Sequence, residues 1–423
     1  MFLHRLGQNR SRGSVELAKR RVNQGKCTVT QHEALPRTLP RTLPRILPKV
    51  AAASTNGGLG DILAAYFAAS GYDRIEPPVL QPAAVFLDLS GEDMASRMFV
   101  TQDDRGAEFC LRPEYTIPVV RAYLASPQAG EAAAFSCLGP VFRLRPPGQD
   151  GEFLQAGIES FGRADSEAAD AEILALALAG VRAAAGDAPL AITIGDVALF
   201  KRLLDQLRLS PVWQRRLRRG FAHGLALSEI LKPMVPAGAD HSGVLAALEG
   251  TGKEGARALV SDLLSIAGIS SVGGRTTAEI AERFLAKASE RAAAGPGAEQ
   301  EAALRRFLAI KGDPDSASLE LRALAQDTGL DMAAALDSFD ARTGFIAACG
   351  LDVAALRFDA AFGRELDYYT GFVFEAHDPR RADGRPVAGG GRYDRLARTL
   401  GAPRDIPAVG AAVWVDRLTA TEA

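Results

Sequence analysis

Gly139-Pro140-Val141-Phe142-Arg143-Leu144-Arg145, then a loop rich in Pro and Gly, then Glu152-Phe153-Leu154-Gln155-Ala156-Gly157-Ile158-Glu159: this stretch reads as strand, polar loop, strand. Side chains alternate along a strand with period two, so Gln155 and Glu159 share one face, which Arg143 can join. A guanidinium fork suits a carboxylate or a phosphate. A Gln amide with a Glu carboxylate suits an imidazole or an amine. Cross-strand charge pairing on a solvated face is the plain alternative.

Three more stretches flank it. Upstream, Leu111-Arg112-Pro113-Glu114-Tyr115-Thr116 sets Glu114 and Thr116 two apart, on one face if the segment is a strand. A buried carboxylate beside a hydroxyl can hold an ammonium group; a surface turn with an Arg–Glu pair is the alternative. Downstream, Arg364-Glu365-Leu366-Asp367-Tyr368-Tyr369-Thr370-Gly371 leads into Phe372-Val373-Phe374-Glu375 and sets one tyrosine ring on each side of a strand. Last come Gly389-Gly390-Gly391-Arg392-Tyr393-Asp394 and the run from Ala408-Val409-Gly410 through Trp414-Val415-Asp416-Arg417-Leu418. Glycine clusters there mark a bulge or a close backbone approach.

Around these stretches the pattern alternates strands and helices. Asp61 can cap a helix with Ile62, Leu63, Tyr66 and Phe67 on one face, closed by Gly71. Residues 72–80 read as a strand interrupted by Pro77-Pro78, suited to an edge or an interface. A helix is expected over 117–125. Another spans 167–185, bracketed by Asp165 and Gly186, and a short strand covers 191–194. Residues 197–349 are rich in Ala, Leu and Arg with helical periodicity, the mark of a helical insertion. Strands return over 356–373 and 387–393, and a strand and helix run from 408 to the end. Strands on both sides of a helical insert argue for an α+β fold with a mostly antiparallel sheet. The expected organisation is a basic segment 1–50, a core in two parts, 51–196 and 350–423, and the insertion 197–349.

Composition narrows the function. The 49 basic and 51 acidic residues nearly cancel, so no overall field draws nucleic acid. Only residues 1–50 are basic, and their Leu-Pro-Arg-Thr repeat disfavours a helix. That segment reads as a disordered tail or a start placed too far upstream, with a basic arm and a targeting peptide as alternatives. The four cysteines form no CxxC pair and fit a reducing cytoplasm. The five histidines show no HxxxH or HExxH spacing, so no metal site is expected, nor any cofactor. No apolar run approaches the ~20 residues of a membrane span.

Taken in order, LRPE-x-T, GPxFR…FxQxGxE, RxLDYYTGxVFE and GGRYD…AVGxAxxxxRL resemble the layout of histidyl-tRNA synthetases, over about 57–190 and 350–418. The resemblance implies a class II synthetase-like antiparallel sheet flanked by helices. It also implies dimerisation through the segment 72–80 and a histidine pocket. Glu114 and Thr116 would meet the α-amino end, and Gln155 and Glu159 the amino and polar groups. Arg364 and Tyr369, with Tyr368 close by, would frame the carboxylate and imidazole region. Arg143 would face the carboxylate or the adenylate phosphate.

The chain departs from that family where nucleotide and tRNA bind. The family's Arg-x-Glu is here Arg143-Leu144-Arg145, which reverses the local charge, and the following loop is shorter. A family glycine that lets adenine stack on the backbone is here Trp414, three residues before the retained Arg417. The sequence ends at Ala423, where synthetases continue into an anticodon-binding domain. A kept amino-acid pocket with a degenerate nucleotide site (Arg145, Trp414, Arg417) resembles the regulatory subunits of ATP phosphoribosyltransferase. That family implies a non-catalytic chain that activates a short-form catalytic subunit and mediates feedback by L-histidine. It implies a homodimer within a hetero-oligomer, expected to be an octamer, with no tRNA and no membrane as partner. A truncated ligase that adenylates histidine or a related acid is the alternative, and a free-standing histidine or tRNA sensor is a third reading.

Overall fold

The computed structural model describes residues 58–89, 94, 96–146, 150–232, 295–363 and 368–419, with isolated positions between 255 and 276. The segment 1–50 and Arg364 lie outside them. Helix α1 (Leu59–Ala69) buries Leu63, Tyr66 and Phe67, and Gly71 at φ 86° turns the chain out of it. Strands β1 (Asp73–Arg74) and β2 (Leu80–Pro82), helix α2 (Ala83–Leu89), strands β3 (Val100–Gln102) and β4 (Glu108–Leu111) and helix α3 (Thr116–Leu124) follow. Next come the long strands β5 (Ala133–Phe142) and β6 (Glu152–Phe161), helix α4 (Ser166–Ala185) and strand β7 (Ala191–Asp196).

The region read as a helical insertion contains α5 (Val197–Gln206), α6 (Pro211–Ala222), α7 (Leu227–Ile230), the pair β8 (Ser271–Val272) and β9 (Arg275–Thr276), α8 (Ala298–Ala309), β10 (Lys311–Gly312), α9 (Pro314–Thr328) and α10 (Ala333–Ala348). The chain closes with β11 (Leu356–Asp359), β12 (Phe372–His377), β13 (Ala388–Arg392), α11 (Leu396–Thr399), β14 (Ala408–Trp414) and a 3-10 turn at Val415–Arg417.

Nine strands form one sheet in the order β1-β5-β6-β14-β13-β12-β7-β11-β10. Only β1 with β5 and β7 with β11 run parallel. A smaller sheet, β2-β4-β3, stands apart. The alternation along β6 shows how the main sheet divides the interior. Ala156 and Ile158 join the larger core, with helices α1, α4 and α10. Phe153 and Phe161 join a second core with Tyr115, Tyr123 and Tyr393, in which the Tyr123 and Phe161 rings stack at 4.4 Å. Gln155, Gly157 and Glu159 fall on this second face.

The segment 72–80 is interrupted at Pro77 and Pro78 as expected, with ladder pairs at Asp73–Arg74 and at Leu80. Two local expectations are corrected. The stretch 197–349 is not wholly helical: Lys311–Gly312 pairs with β11 at the sheet's edge. After β14 the described residues make a 3-10 turn at Val415–Arg417 in place of the expected helix.

A buried ionic network ties the two ends of that stretch to the core. Asp170, in the middle of α4, accepts from Arg342 Nε of α10 at 2.9 Å and from Arg392 Nε at 2.8 Å. Arg342 Nη1 also donates to Asp196 at 2.6 Å, and Asp196 caps α5 through the Ala198 amide at 2.8 Å. Arg392 continues to Asp394 at 2.9 Å and to the Ser166 carbonyl at 2.8 Å. Each acid thus meets a guanidinium or an amide, as a buried charge requires.

Candidate functional site

On the second face of the sheet a narrow cleft opens between β6, β13 and β14 below and the residues before α3 and β12 above. It gathers Glu114, Thr116, Arg143, Gln155, Glu159, Tyr368 and Tyr369 from four distant parts of the sequence.

The strand register sets the floor. Gly139 lies opposite Gln155 across β5, and Trp414 opposite Gln155 across β14. Glu159 lies opposite Gly410. A Cβ at Gly410 would run into the Glu159 carboxylate and come within 2.8 Å of the Ile158 carbonyl. One at Gly390 would strike the backbone of Gly410 and Ala411. Gly410 therefore leaves room for the Glu159 carboxylate, and Gly390 lets β13 and β14 pair closely.

The wall over Glu159 differs from the sequence reading. Glu114 and Thr116 are not on a strand. Glu114 precedes α3, and its two oxygens accept from the Thr116 amide at 2.6 Å and the Ile117 amide at 2.9 Å. These amides have no partner within the helix, so an acid there both caps it and meets its positive end. Thr116 Oγ1 then donates to Glu159 Oε1 at 2.8 Å, and the Tyr393 hydroxyl donates to Glu159 Oε2. Tyr393, Tyr115 and the cleft glycines were not singled out as site residues. Tyr393 lay in the quoted glycine-rich stretch, and its hydroxyl beside a predicted acid was the signal available.

Both carboxyls are almost wholly buried, Glu114 at 4% and Glu159 at 3% exposure. Burial pushes Glu159 up to about 8, against the Tyr393 and Thr116 hydrogen bonds, while neighbouring Glu114 adds to the rise. Burial also raises Glu114, opposed by its amide donors and by Arg143. Arg143 donates to the Pro113 carbonyl at 2.8 Å, and burial lowers it to about 10. Tyr368 and Tyr369 were expected on opposite sides of a strand. They precede β12 and both line the cleft, their rings 4.9 Å apart.

The residues assigned to a degenerate nucleotide site separate. Trp414 is buried and lines the cleft. Arg417 stacks on its ring at 4.5 Å and donates to the Pro386 carbonyl at 2.6 Å. Arg145 stacks on Phe153 at 4.5 Å. Neither Arg145 nor Arg417 lines the cleft. Burial and the neighbouring Arg385, Arg143 and Arg145 lower Arg417 to about 9. Among the described residues no cluster of His, Cys, Asp or Glu is placed to hold a metal, and no helix is long and apolar enough to cross a membrane. The arrangement offers two carboxyls and hydroxyls to an amine, a guanidinium to a carboxylate, and aromatic walls to a flat ring.

The histidyl-tRNA synthetase family model matches residues 46–258 and 255–418. ATP phosphoribosyltransferase regulatory subunits of Brucella canis and Brucella melitensis biotype 1 are each 45% identical to this chain over 352 residues. That is 82% of this chain, and 93% and 92% of theirs. A solved Bacillus halodurans protein, described as an ATP phosphoribosyltransferase regulatory subunit/histidyl-tRNA synthetase, shares the fold. It aligns with a TM-score of 0.59 at 23% identity, over 85% of this chain and 77% of its own. A histidine–tRNA ligase subunit from Alicyclobacillus acidocaldarius aligns at 0.50 and 26% identity, over 86% and 91%.

Proposed function

Since the chain belongs to the ATP phosphoribosyltransferase regulatory subunits, built on the histidyl-tRNA synthetase fold, we propose that it activates a short-form catalytic chain and conveys feedback by L-histidine. The observation that carries this reading is the cleft. It brings Glu114, Thr116, Arg143, Gln155, Glu159, Tyr368 and Tyr369 together in one lining, with Trp414 at its edge among them. In this reading the α-ammonium meets Glu114, Glu159 and Gln155, the carboxylate meets Arg143, and Tyr368 and Tyr369 flank the imidazole. Arg364 is assigned to the same pocket by the family pattern alone. Regulation then requires that histidine bind one state of the assembly more tightly than another.

The assembly proposed is a homodimer within a hetero-octamer in the cytoplasm. An exposed apolar group supports a self-contact: Val79, Leu80, Leu87, Phe99, Val100 and Leu144 lie on or beside the small sheet. The test mixes the purified chain with the short-form phosphoribosyltransferase of the same source and follows phosphoribosyl-ATP with and without histidine. Activation that histidine reverses is the expected result. No activation and no co-migration on sizing removes the regulatory role, and histidine-dependent ATP–pyrophosphate exchange would then establish a ligase.

A further inference from the structure

The hairpin of β12 and β13 ends beside the cleft, and each arm carries tyrosine there. The ladder between the two strands reaches Val373, opposite Gly391. Beyond it Tyr368 and Tyr369 precede β12, and Tyr393 follows β13; all three line the cleft. Thr370 joins the arms through three hydrogen bonds. Its amide donates to the Arg392 carbonyl at 2.8 Å, and its hydroxyl donates to the same carbonyl at 3.3 Å. The Asp394 amide donates to that hydroxyl at 3.1 Å. A hydroxyl can do both because it is one donor and two acceptor lone pairs. Arg392 and Asp394 are the two neighbours of Tyr393, whose phenol holds Glu159. Tyr369 is the neighbour of Thr370 itself. The Tyr368 ring lies 4.9 Å from the Tyr369 ring and 5.8 Å from the Tyr393 ring. Both arms are fixed from behind. The Arg392 guanidinium is anchored on Asp170, Asp394 and the Ser166 carbonyl. Asp394 also accepts from the Ala408 amide at 2.9 Å, and the Gly371 carbonyl accepts from the Val197 amide at 3.0 Å.

We propose that Thr370 is a positioning residue of the cleft: its hydroxyl bridge sets the Tyr368–Tyr369 wall against the Tyr393–Glu159 floor before a ligand arrives. Thr370 is not among the lining residues, so it acts through its neighbours and not by contact. The inference rests on the amino-acid reading of this cleft and deepens it, because pre-organisation of the wall becomes a component of affinity. Valine at 370 keeps the branched shape and removes the bridge, leaving the Asp394 amide without its acceptor. A wall released in this way holds the binding position part of the time, and the apparent Kd rises by the inverse of that fraction. For a hydrogen bond of ordinary net worth the rise is about five- to tenfold.

The test compares the full chain with T370V and T370S. It reads L-histidine binding by calorimetry and the tyrosine region of the near-ultraviolet circular dichroism. T370V should bind about five- to tenfold more weakly, and T370S, which keeps the hydroxyl, within about twofold of the parent. Without ligand, the tyrosine band of T370V should differ from the parent's, and saturating histidine should remove the difference by ordering the wall. A threonine with a merely structural role would shift the melting temperature and leave band and affinity unchanged; that outcome overturns the proposal. A band difference that persists at saturation, or T370S failing as badly as T370V, overturns it too. If histidine does not bind the parent chain, the amino-acid reading fails, and the spectra of the empty chains still decide the bridge. Should T370V not fold, the parent chain answers alone. Its Asp394 amide, resolved by fragmentation mass spectrometry, should exchange hydrogen well below the rate of an open amide, and exchange at the open rate overturns the bridge.

Discussion

Replacing Arg342 with Met tests the network that joins the region 197–349 to the core. The Arg342 side chain is 7% exposed, and its partners Asp170 and Asp196 are 1% and 2% exposed. Methionine fills similar volume and removes the cation, so packing changes little and electrostatics dominates. Asp170 keeps Arg392 at 2.7 Å, but Asp196 keeps only the Ala198 amide. Stripping one partner from a buried pair costs about 3–5 kcal/mol, and the surviving contact of Asp170 places this case near the lower end. The assay is the urea unfolding midpoint at constant slope, which reports stability and not a change in exposed surface. The double variant R342M/D196N removes the acid stranded by the first change and leaves Asp170 balanced by Arg392. It should recover about half of the loss, a coupling of about 1–2 kcal/mol. A loss below about 1 kcal/mol for R342M, or strict additivity with D196N, would refute the view that Arg342 holds charge balance in this core.

Three further outcomes follow from the same geometry. G410A should lower stability by about 1–3 kcal/mol through overpacking against Glu159 and should abolish histidine binding, checked by thermal melts and calorimetry. W414G should cost about 3–5 kcal/mol of stability as a large buried ring is lost. Histidine affinity measured on its folded fraction should stay within about threefold, and a much larger fall would place the indole in the ligand's own space. Glu159 sets a pH trend in stability: its unfolded value is about 4.3 and its folded value about 8, so between them the folded chain holds the extra proton. Stability should therefore fall as pH rises through that window, and E159Q should lack this part of the fall. Parallel melting curves for the two chains over that range would contradict the assignment.

Much of the main sheet was legible because its signals are local. Asp165 and Gly186 bracket a 20-residue helix that the structure begins at Ser166 and ends at Ala185. The alternation 153-155-157-159-161 gave the face on which the cleft lies. Gln155 and Glu159 came together as the period-two argument requires. Glu114 reached the cleft for another reason, as a helix cap, because its proline and the free amides of α3 outweigh any strand preference. The Asp170–Arg342–Arg392 network left no trace in the sequence: its members lie 172 and 222 residues apart, and no local spacing reports a contact of that range. The pairing of Lys311–Gly312 is too short to show a period.

The floor made by Gly389, Gly390, Gly410, Ala411 and Ala412 has a bearing on how such a pocket can change over time or in the laboratory. It is main chain with almost nothing attached, and its amides and carbonyls are already spent in the ladders of β13 with β12 and β14. Positions 390 and 410 tolerate no larger residue, so at these two positions the floor cannot acquire a new recognition group. Retuning toward a different effector falls first to the walls, to Thr116, Gln155, Tyr368 and Tyr369. Where glycine is required the floor is a constant of the fold, and the selectivity carried by the walls is the variable.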